Sequence, residues 1–364
     1  METKLRKIHQ IEDCQEVIEE AAELIRQGEV VAFPTETVYG LGGNGLREDA
    51  ARKIYQAKGR PSDNPLILHI SRMDMLKDLV SEVPRTARKA MEYFWPGPLT
   101  VILRKSEQVP ECITGGLDTV AIRMPADEVA RELIECAKVP IAAPSANTSG
   151  RPSPTKAEHV MDDLNGKIPL ILDGGAVKVG VESTIVDFTE EPPVILRPGR
   201  ITKEEMERVI GEKTVMNTSL KADDGGVPRA PGMKYKHYAP KAQMTIVLGQ
   251  DQQAVVSKIN ELTEQEHSRG GKVGVLAADE TAGDYEADEV LSVGRRADME
   301  TVMANLYDVL REFDDKAVDV IYSEGFEEEP LGEAVSDTDA PKEHSTSHTL
   351  YGSYALKIPH RIIH

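Results

Sequence analysis

The chain has 364 residues and is strongly acidic, with 62 Asp and Glu against 43 Lys and Arg and a formal net charge of −19. Its length favours two domains, and its charge argues against nucleic-acid binding, which depends on neutralising phosphates. The first residues lack the apolar core of a signal peptide, no apolar run approaches the ~18 residues of a membrane helix, and the three cysteines lack metal-ligand spacing. These features predict a cytoplasmic globular protein with no membrane association and no stable nucleic-acid binding.

Up to residue 210, short apolar runs alternate irregularly with amphipathic stretches. Helices are predicted over residues 17–25 and 49–58, where Gly28 and Gly59 end them because glycine adopts left-handed backbone angles without steric cost. Further helices are predicted to end near Phe94, to include Leu133, to cover 155–164, and to begin at a capping box of Thr202 and Glu205. Strands are predicted over 30–33, 66–70, 99–103, 120–124, 141–143, 170–173, 183–188 and 194–196. Because several strands follow one another directly, we expect a mixed-sheet α/β domain over residues 1–210.

The pattern of apolar residues changes after residue 210. Periodicity is lost between residues 211 and 240, where glycine and proline recur, so this segment is predicted to be a linker. Strands at 244–248, 272–277 and 318–322 and helices at 252–262 and 299–313 then predict a smaller Rossmann-like α/β domain over residues 241–335. Residues 336–364 are polar and lack an apolar face, which predicts a flexible tail.

Candidate binding residues lie where predicted strands run into polar side chains. A proline-braced loop after the second helix carries Lys58, Arg60 and Asn64 and leads to a strand with His69; such loops are common binding sites. The other polar strand ends contain Thr119, Arg123, Ser145, Asn147, Ser183 and Arg197. Singly these residues are typical of turns, but together they offer arginine forks for carboxylates and phosphates. The set favours charge neutralisation and positioning, as in reactions of phosphates.

Two other motifs in the sequence have an ordinary structural explanation. Gly40, Gly42 and Gly45 match G-x-G-x-x-G, with Asp63 at about the distance of a ribose-binding acid. Asp63 lies in a proline-flanked loop instead of at the end of a second strand, which disfavours a nicotinamide or flavin site. His344 and His348 have helical spacing but lie in the predicted tail, so no metal site is predicted.

Several ordered motifs resemble the YrdC-type threonylcarbamoyl-AMP synthases in their longer two-domain form. The motifs are PTETVYGLG, the Lys58-x-Arg60 loop with Asn64-Pro65-Leu66, AIRMP at 121–125, PSAN at 144–147, VEST at 181–184 and LRPG at 196–199. The linker sequence PGMKYKHYAP at 231–240 matches the long form specifically. The resemblance covers most of residues 1–335 and is lost in the tail, where the family usually has a short apolar helix.

The resemblance implies an activity and its substrates. The expected enzyme is a nucleotidyltransferase that condenses L-threonine, bicarbonate or carbon dioxide, and ATP into threonylcarbamoyl-AMP, with release of pyrophosphate and with Mg²⁺ accompanying the ATP. A separate tRNA threonylcarbamoyl transferase then moves the threonylcarbamoyl group onto an adenosine in certain tRNAs. The chain itself is expected to bind only the small substrates.

The same resemblance implies roles for individual residues. L-Threonine is expected to be bound by Thr37, His69, Arg123, Ser145 and Ser183. ATP is expected to be held by Arg60, Asn64, Thr119, Asn147, Ser153, Arg197 and Tyr238, with Thr155 and Tyr235 as alternatives to Ser153 and Tyr238. Lys58 and Arg60 are implied to be catalytic, since their charges and Mg²⁺ would screen the repulsion between carboxylated threonine and the triphosphate. The linker is expected to lie over the nucleotide cleft.

Two further functions stay open at the level of the sequence. A YrdC-like module that binds RNA without adenylate synthesis is disfavoured by the acidic charge. A carbamoyl-adenylate enzyme of the hydrogenase-maturation type would need acylphosphatase and zinc-finger segments that are absent from this sequence.

Overall fold

The computed structural model describes residues 2–217, 228, 230, 240–249 and 251–326, and the backbone of 360–363. The chain divides into two compact units, Met1–Tyr235 and Lys236–His364. The first contains a large mixed sheet and the second a smaller parallel sheet. The predicted fold class, a mixed-sheet α/β domain with a smaller α/β domain, is therefore confirmed.

The first unit consists of one sheet with helices packed against it. Its strands are β1 (Lys4–Lys7), β2 (Val31–Phe33), β3 (Gly40–Asn44), β4 (Ile67–His69), β5 (Leu99–Arg104), β6 (Thr119–Arg123), β7 (Ile141–Ala142), β8 (Leu170–Asp173), β9 (Thr184–Asp187), β10 (Val194–Arg197) and β11 (Val215–Met216). Its α-helices are α1 (Gln15–Arg26), α2 (Glu48–Lys58), α3 (Arg85–Phe94), α4 (Glu111–Thr114), α5 (Glu128–Ala137), α6 (Ala157–Leu164) and α7 (Lys203–Ile210), and a 3₁₀ segment spans Met73–Asp78.

The strand order of this sheet is β1-β8-β2-β3-β7-β4-β6-β5-β9-β10-β11. β4 and β6 pair in parallel, whereas their outer neighbours β7 and β5 run antiparallel to them. Parallel and antiparallel pairs therefore occur in the same sheet. This explains why short connections alternate with helical crossovers along the sequence, because only parallel neighbours need a long connection.

Two helix boundaries confirm the expected local chemistry. α2 ends at Gly59, which has the left-handed φ of 61°. At α7, the side chain of Thr202 accepts from the backbone N–H of Glu205, and the Glu205 carboxylate accepts from the backbone N–H of Thr202. Both ends satisfy backbone groups that a helix terminus would otherwise leave unpaired.

Helices cover only part of one face of the sheet. α1 and α5 pack with residues of β2, β7 and β8, including Phe33. Further along the same sheet, Ile67, Ile102, Ala121 and Ile185 form a separate apolar cluster of strand residues, closed by Ala230. His69 follows Ile67 by two residues, so it shares that face, and its ring packs edge-on against Phe33 with centroids 6.3 Å apart. The part of this face that lies between α1 and α5 on one side and Ala230 on the other carries polar side chains such as His69.

Three strands of this unit are not predicted from the sequence: β1, β3 and β11, the last of which lies in the predicted linker. β3 is the glycine-rich stretch GLGGN, which pairs antiparallel with β2 and β7. Its glycine-rich composition does not predict a strand, because glycine has a low preference for strands. β1 has the sequence KLRK and is exposed throughout, so it lacks the alternating pattern on which strand prediction depends.

The second unit is a parallel sheet with the strand order β14-β13-β15-β12-β16. The strands are β12 (Gln243–Val247), β13 (Val273–Ala277), β14 (Glu289–Ser292), β15 (Val320–Glu324) and β16 (His360–Ile363), and the helices are α8 (Gln252–Ser268), α9 (Met299–Lys316) and a 3₁₀ turn at Ala282–Asp284. All its pairs are parallel, as a Rossmann-like arrangement requires.

The predicted linker and tail differ in part from the structure. β11 lies within residues 211–240 and extends the first sheet by pairing with β10. β16 lies where a flexible tail was expected and pairs in parallel with β12. The remaining tail residues, 336–359 and 364, and the linker residues 231–239 lie outside the described part of the chain. Within the described part, no helix combines the length and apolar character needed to cross a membrane.

Gly42 of β3 provides a test of the packing. A Cβ atom added there would lie 2.5 Å from Cε1 of Phe33 and 2.6 Å from Cγ2 of Ile141, so Gly42→Ala is expected to lower the free energy of unfolding by about 1–3 kcal/mol through overpacking. The measurement is urea denaturation followed by the fluorescence of Trp95.

Gly40→Ala in the same strand is the matched control, since its new Cβ would meet Ala143 and Phe33 only at 3.4 Å. Equal losses in the two variants would show that packing against Phe33 and Ile141 does not explain the glycine at 42.

Candidate active site

The register of β4 and β6 organises the site. His69 is paired with Arg123, and Ile67 is paired with Ala121. Thr119 begins β6 four residues before Arg123, on the same face but about 13 Å away at the usual rise of a strand. On these two strands, His69 and Arg123, which are expected to bind threonine, therefore lie at the opposite end from Thr119, which is expected to bind ATP.

Arg123 is the centre of the first end. Its guanidinium is buried, with 4% of the side chain exposed, and Nη1 donates to Oγ1 of Thr37 at 2.9 Å. Nη2 lies 2.7 Å from Oε1 of Glu36, as a buried ion pair. The turn 34–39 is fixed in place by Thr35, whose Oγ1 donates to the carbonyl of Val38 at 2.7 Å. The turn thus brings Glu36 and Thr37 to the end of β6.

Glu36 also links this end to a helix N-terminus. Its Oε2 accepts from the backbone N–H of Ala126 at 3.1 Å, just before α5. Asp127, the N-cap of α5, accepts from the N–H of Ala130, and burial together with the nearby Glu36 charge raises the pKa of Asp127 to about 6. The two carboxylates lie on the positive end of the α5 dipole, which favours negative charge there.

His69 is neutral in this site. Burial and the neighbouring Arg123 charge lower the pKa of His69 to about 3, and its Nδ1 lies 3.2 Å from the carbonyl of Ile67. Beside Arg123, a protonated ring would add a second buried cation, which explains the direction of the shift. A neutral imidazole offers one donor and one acceptor to an uncharged polar group such as a hydroxyl.

A chain of hydrogen bonds continues across β5, β9 and β10. Ser183 Oγ lies 2.8 Å from Oγ1 of Thr100 and accepts from Nη2 of Arg197 at 3.0 Å. Arg197 Nε donates to the Ser183 carbonyl at 3.1 Å. Glu182 lies 3.7 Å from Arg197 and accepts from the Ser153 hydroxyl at 2.7 Å. Ser153, Ser183 and Arg197, three of the predicted site residues, are therefore held in one network.

Lys58 holds the turn that contains Ser145 and Asn147 by hydrogen bonds. Its ammonium is buried and donates to the carbonyls of Ser145 and Asn147 at 2.5 Å and to Oδ1 of Asn147 at 3.3 Å. The Ser145 hydroxyl donates to the same Oδ1 at 2.6 Å, while the Asn147 amide nitrogen donates to the carbonyls of Thr148 and Arg151. Ser145, expected to contact threonine, thus lies in a turn with two residues expected near ATP.

Asn64 has the most distinctive environment in the Lys58 loop. The Asn64 side chain is fully buried, yet neither its oxygen nor its nitrogen has a hydrogen-bond partner within the described structure. Arg60 Nη2 donates to the carbonyl of Pro65 at 3.1 Å, and the hydroxyl of Tyr55 donates to the carbonyl of Asn64 at 3.1 Å. Buried amides are normally paired, so Asn64 is suited to a ligand that supplies both a donor and an acceptor.

The remaining predicted residues are placed as follows. Thr119 is half-buried at the start of β6 and opposite Arg104. Thr155, the alternative to Ser153, is buried, and its backbone N–H donates to Nδ1 of His159 at 3.2 Å. Tyr238 and its alternative Tyr235 lie outside the described residues.

Sequence reasoning missed three residues of the site: Glu36, Thr100 and Glu182. Glu36 and Glu182 lie within the motifs PTETVYGLG and VEST. A carboxylate in a polar turn is predicted to be exposed to solvent when the residue that pairs with it is not known. Thr100 lies inside an apolar strand, and only the Ser183 contact gives it a role. Conversely, Gly40 and Gly42 lie in β3, so the G-x-G-x-x-G pattern does not form the strand-to-helix turn of a dinucleotide site.

Two family models together match nearly the whole chain. Residues 23–199 match the Sua5, YciO and YrdC model described as Telomere recombination. Residues 201–338 match a model described as Threonylcarbamoyl-AMP synthase, C-terminal domain. With the mixed sheet and its polar face, these matches define a two-domain protein of the Sua5/YrdC class.

Full-length relatives give the family. Proteins named threonylcarbamoyl-AMP synthase from Pyrococcus abyssi and Bacillus subtilis are each 52% identical to this chain, covering 86% and 87% of it and 90% of each relative. A Schizosaccharomyces pombe protein of the same name is 41% identical over 89% of this chain and 87% of its own length. The chain belongs to the threonylcarbamoyl-AMP synthases, a family of enzymes, and the resemblance drawn from the motifs is confirmed.

Solved structures agree in fold. P. abyssi Sua5 complexed with L-threonine has a TM-score of 0.83 and 50% identity, covering 89% of this chain and 92% of that chain. A variant of that protein with a His and the following Tyr replaced by alanine gives 0.82 and 49%, covering 89% and 91%. The present sequence contains one adjacent His–Tyr pair, His237–Tyr238, in the undescribed linker.

The His69 environment predicts a pH effect on stability. An unfolded His69 takes up a proton near pH 6.5, whereas the folded ring does so only near pH 3, so the unfolded state gains protons first as the pH falls. Between pH 7.5 and 5.5, this difference should cost about 1.4 kcal/mol of unfolding free energy.

His69→Gln removes the titrating group and should lose that much less stability over the same pH interval, measured by urea denaturation. An identical pH dependence in both proteins would mean that His69 protonates normally in the folded state.

Proposed function

We propose that this enzyme condenses L-threonine, bicarbonate or carbon dioxide, and ATP into threonylcarbamoyl-AMP and releases pyrophosphate. The observation that carries the proposal is the division of the β4–β6 face into two ends. The buried guanidinium of Arg123 lies at one end, and the unpaired Asn64 amide and the Lys58 turn lie at the other. One amino acid and one nucleotide can therefore approach along the same strands.

The end around Arg123 is suited to L-threonine. Nε of Arg123 is buried without a hydrogen-bond partner in the described structure, and Nη2 beside it lies 2.7 Å from Oε1 of Glu36 without a well-aligned hydrogen bond. This edge of a guanidinium binds carboxylates in a bidentate manner. Thr37, neutral His69 and Ser183 supply hydroxyl and imidazole groups around it. The crystal structure of the P. abyssi relative with L-threonine supports this choice of substrate.

The end around Lys58 is suited to ATP. Asn64 offers the donor and acceptor pair that an adenine edge can satisfy. Arg60 and Lys58 provide positive charge for phosphates at this end. Arg197 and Ser153, also expected to hold ATP, lie in the Ser183 network beside the Arg123 end. With the nucleotide and the amino acid at opposite ends, the α-phosphate and the carboxylated amine would meet between them.

The chemistry needs positioning and charge screening more than a protein nucleophile. The threonine amine, in its unprotonated form, adds to carbon dioxide and loses a proton to solvent to form a carbamate. A carbamate oxygen then attacks the α-phosphorus as pyrophosphate leaves. Both partners are anions, so fixed cations lower the barrier most where charge develops. Lys58 and Arg60 are assigned this role.

Mg²⁺ is included in the proposal as a companion of the nucleotide. Among the described residues, no group of three or more His, Cys, Asp or Glu side chains is arranged to hold a metal ion. Mg²⁺ is commonly bound through substrate phosphates and water with few protein ligands. Bound in that way, it would neutralise charge on the triphosphate.

Two described residues of the predicted linker are buried in the first unit. Ala230 is fully buried against Ile67 and Ala121 on the face that carries the site, and Pro228 is also buried. The predicted contact of Tyr238 with the nucleotide falls on residues outside the described part of the chain. The product would pass to a tRNA threonylcarbamoyl transferase, and the synthesis would take place in the cytoplasm.

The function is tested by the substrates that pyrophosphate release requires. Release should need ATP, Mg²⁺, L-threonine and bicarbonate together, and chromatography should show one new adenylate. Equal release without threonine would refute the assignment. Tight tRNA binding in a salt-titrated filter assay, with no adenylate formed, would instead favour an RNA-binding module.

Arg60 is tested by substitution. If its charge acts on the triphosphate, Arg60→Ala should lower turnover by about 10²-fold or more, as for other lost transition-state donors. Arg52→Ala, on the exposed face of α2, is the control and should leave turnover nearly unchanged. Comparable losses in both variants would remove the catalytic assignment of the Lys58–Arg60 loop.

A further inference from the structure

Glu36 is the one carboxylate in direct ionic contact with Arg123 within the described structure. Its side chain is 10% exposed, and Oε1 lies 2.7 Å from Nη2 of Arg123. The two atoms form an ion pair without a well-aligned hydrogen bond, so each can take a further hydrogen-bond partner. The other oxygen, Oε2, is occupied by the N–H of Ala126.

A carboxylate at this position is unfavourable for binding a simple anion. It cancels the charge of Arg123 and would repel a second carboxylate placed on the same guanidinium. Glu36 compensates the buried charge of Arg123, but in doing so it weakens the attraction of this guanidinium for a ligand that carries only a negative charge. The arrangement therefore calls for a ligand that carries a positive charge next to its negative one.

A free α-amino acid has that charge distribution. Its ammonium and carboxylate groups are attached to the same carbon, so they can reach two protein charges that lie side by side. The unused edge of Arg123, Nε and Nη2, can accept the carboxylate. The unused Oε1 of Glu36 can then accept a hydrogen bond from the ammonium, which is among the stronger kinds of hydrogen bond.

We propose that Glu36 binds the α-ammonium group of the amino-acid substrate, so that Glu36 and Arg123 together select zwitterionic α-amino acids. The inference rests on the proposed function for the identity of the amino acid, but not for its class. Glu36 also holds the amine at a fixed place before carboxylation. Thr37 and His69 remain available for the side-chain hydroxyl.

A purely structural role is the alternative, because Glu36 also caps the start of α5. The two roles differ in what they discriminate. A structural Glu36 affects every ligand of the Arg123 end alike. A Glu36 that binds the ammonium affects only ligands that possess one.

The test measures binding of L-threonine and of (R)-3-hydroxybutyrate, which keeps the carboxylate and hydroxyl but lacks the amino group. Calorimetry of the full chain without ATP should show L-threonine binding at least about 10-fold more tightly, since an unmet charged group is costly. In Glu36→Gln, L-threonine should bind about 10- to 100-fold more weakly while the affinity for the deamino compound stays equal or rises. Glu135→Gln, which alters the exposed pair with Arg72, is the matched control and should change neither affinity.

The outcomes separate the possibilities. Equal weakening of both compounds in Glu36→Gln, or a fall in melting temperature accompanied by weaker ATP binding, would assign Glu36 a structural role and overturn the proposal. Unchanged threonine binding in Glu36→Gln would overturn it as well, while leaving the proposed reaction intact. If another L-α-amino acid binds in place of threonine and depends on Glu36, the proposed substrate fails and the inference stands.

Discussion

The buried guanidinium of Arg123 constrains much of the first unit. The Arg123 side chain is only 4% exposed, and a charge buried to this extent is tolerated only when neighbouring groups compensate for its lost hydration. In this protein the compensating groups come from distant parts of the sequence. Thr37 and Glu36 arrive on the turn after β2, and Glu36 is in turn held by the start of α5. The proline-containing turn, the β4–β6 register and the N-terminus of α5 therefore have to form together.

The large sheet serves this arrangement because, among the described residues, α1 and α5 cover only part of this face. α1 and α5 cover β2, β7 and β8, while the neighbouring strands display His69, Arg123 and Thr100 in register. Rigid strands fix the spacing of these side chains more accurately than loops would. The loops at the strand ends then contribute the adaptable groups, such as Asn64 and the Ser145–Asn147 turn.

The sequence predicted local features well and long-range ones poorly. The ends of α2 and α7 were predictable because Gly59 and the Thr202–Glu205 box act within one turn of the chain. β3 was not, since its glycines make room for Phe33 and Ile141, a reason visible only in the folded sheet. In the site, motif resemblance supplied Arg123 and Ser183, but burial of Glu36 depends on a partner 87 positions away. Such pairings are set by tertiary structure, which overrides what a turn sequence suggests.

The pairing of β16 with β12 has a consequence for how the second unit is made. β12 is synthesised early in this unit, but its neighbour β16 follows more than a hundred residues later. Until then, one edge of β12 presents unpaired backbone groups, which invite pairing with other chains. Closing so long a loop is also slow relative to local contacts. During translation, the nascent second unit would thus be most prone to aggregation in the interval before residues 360–363 leave the ribosome.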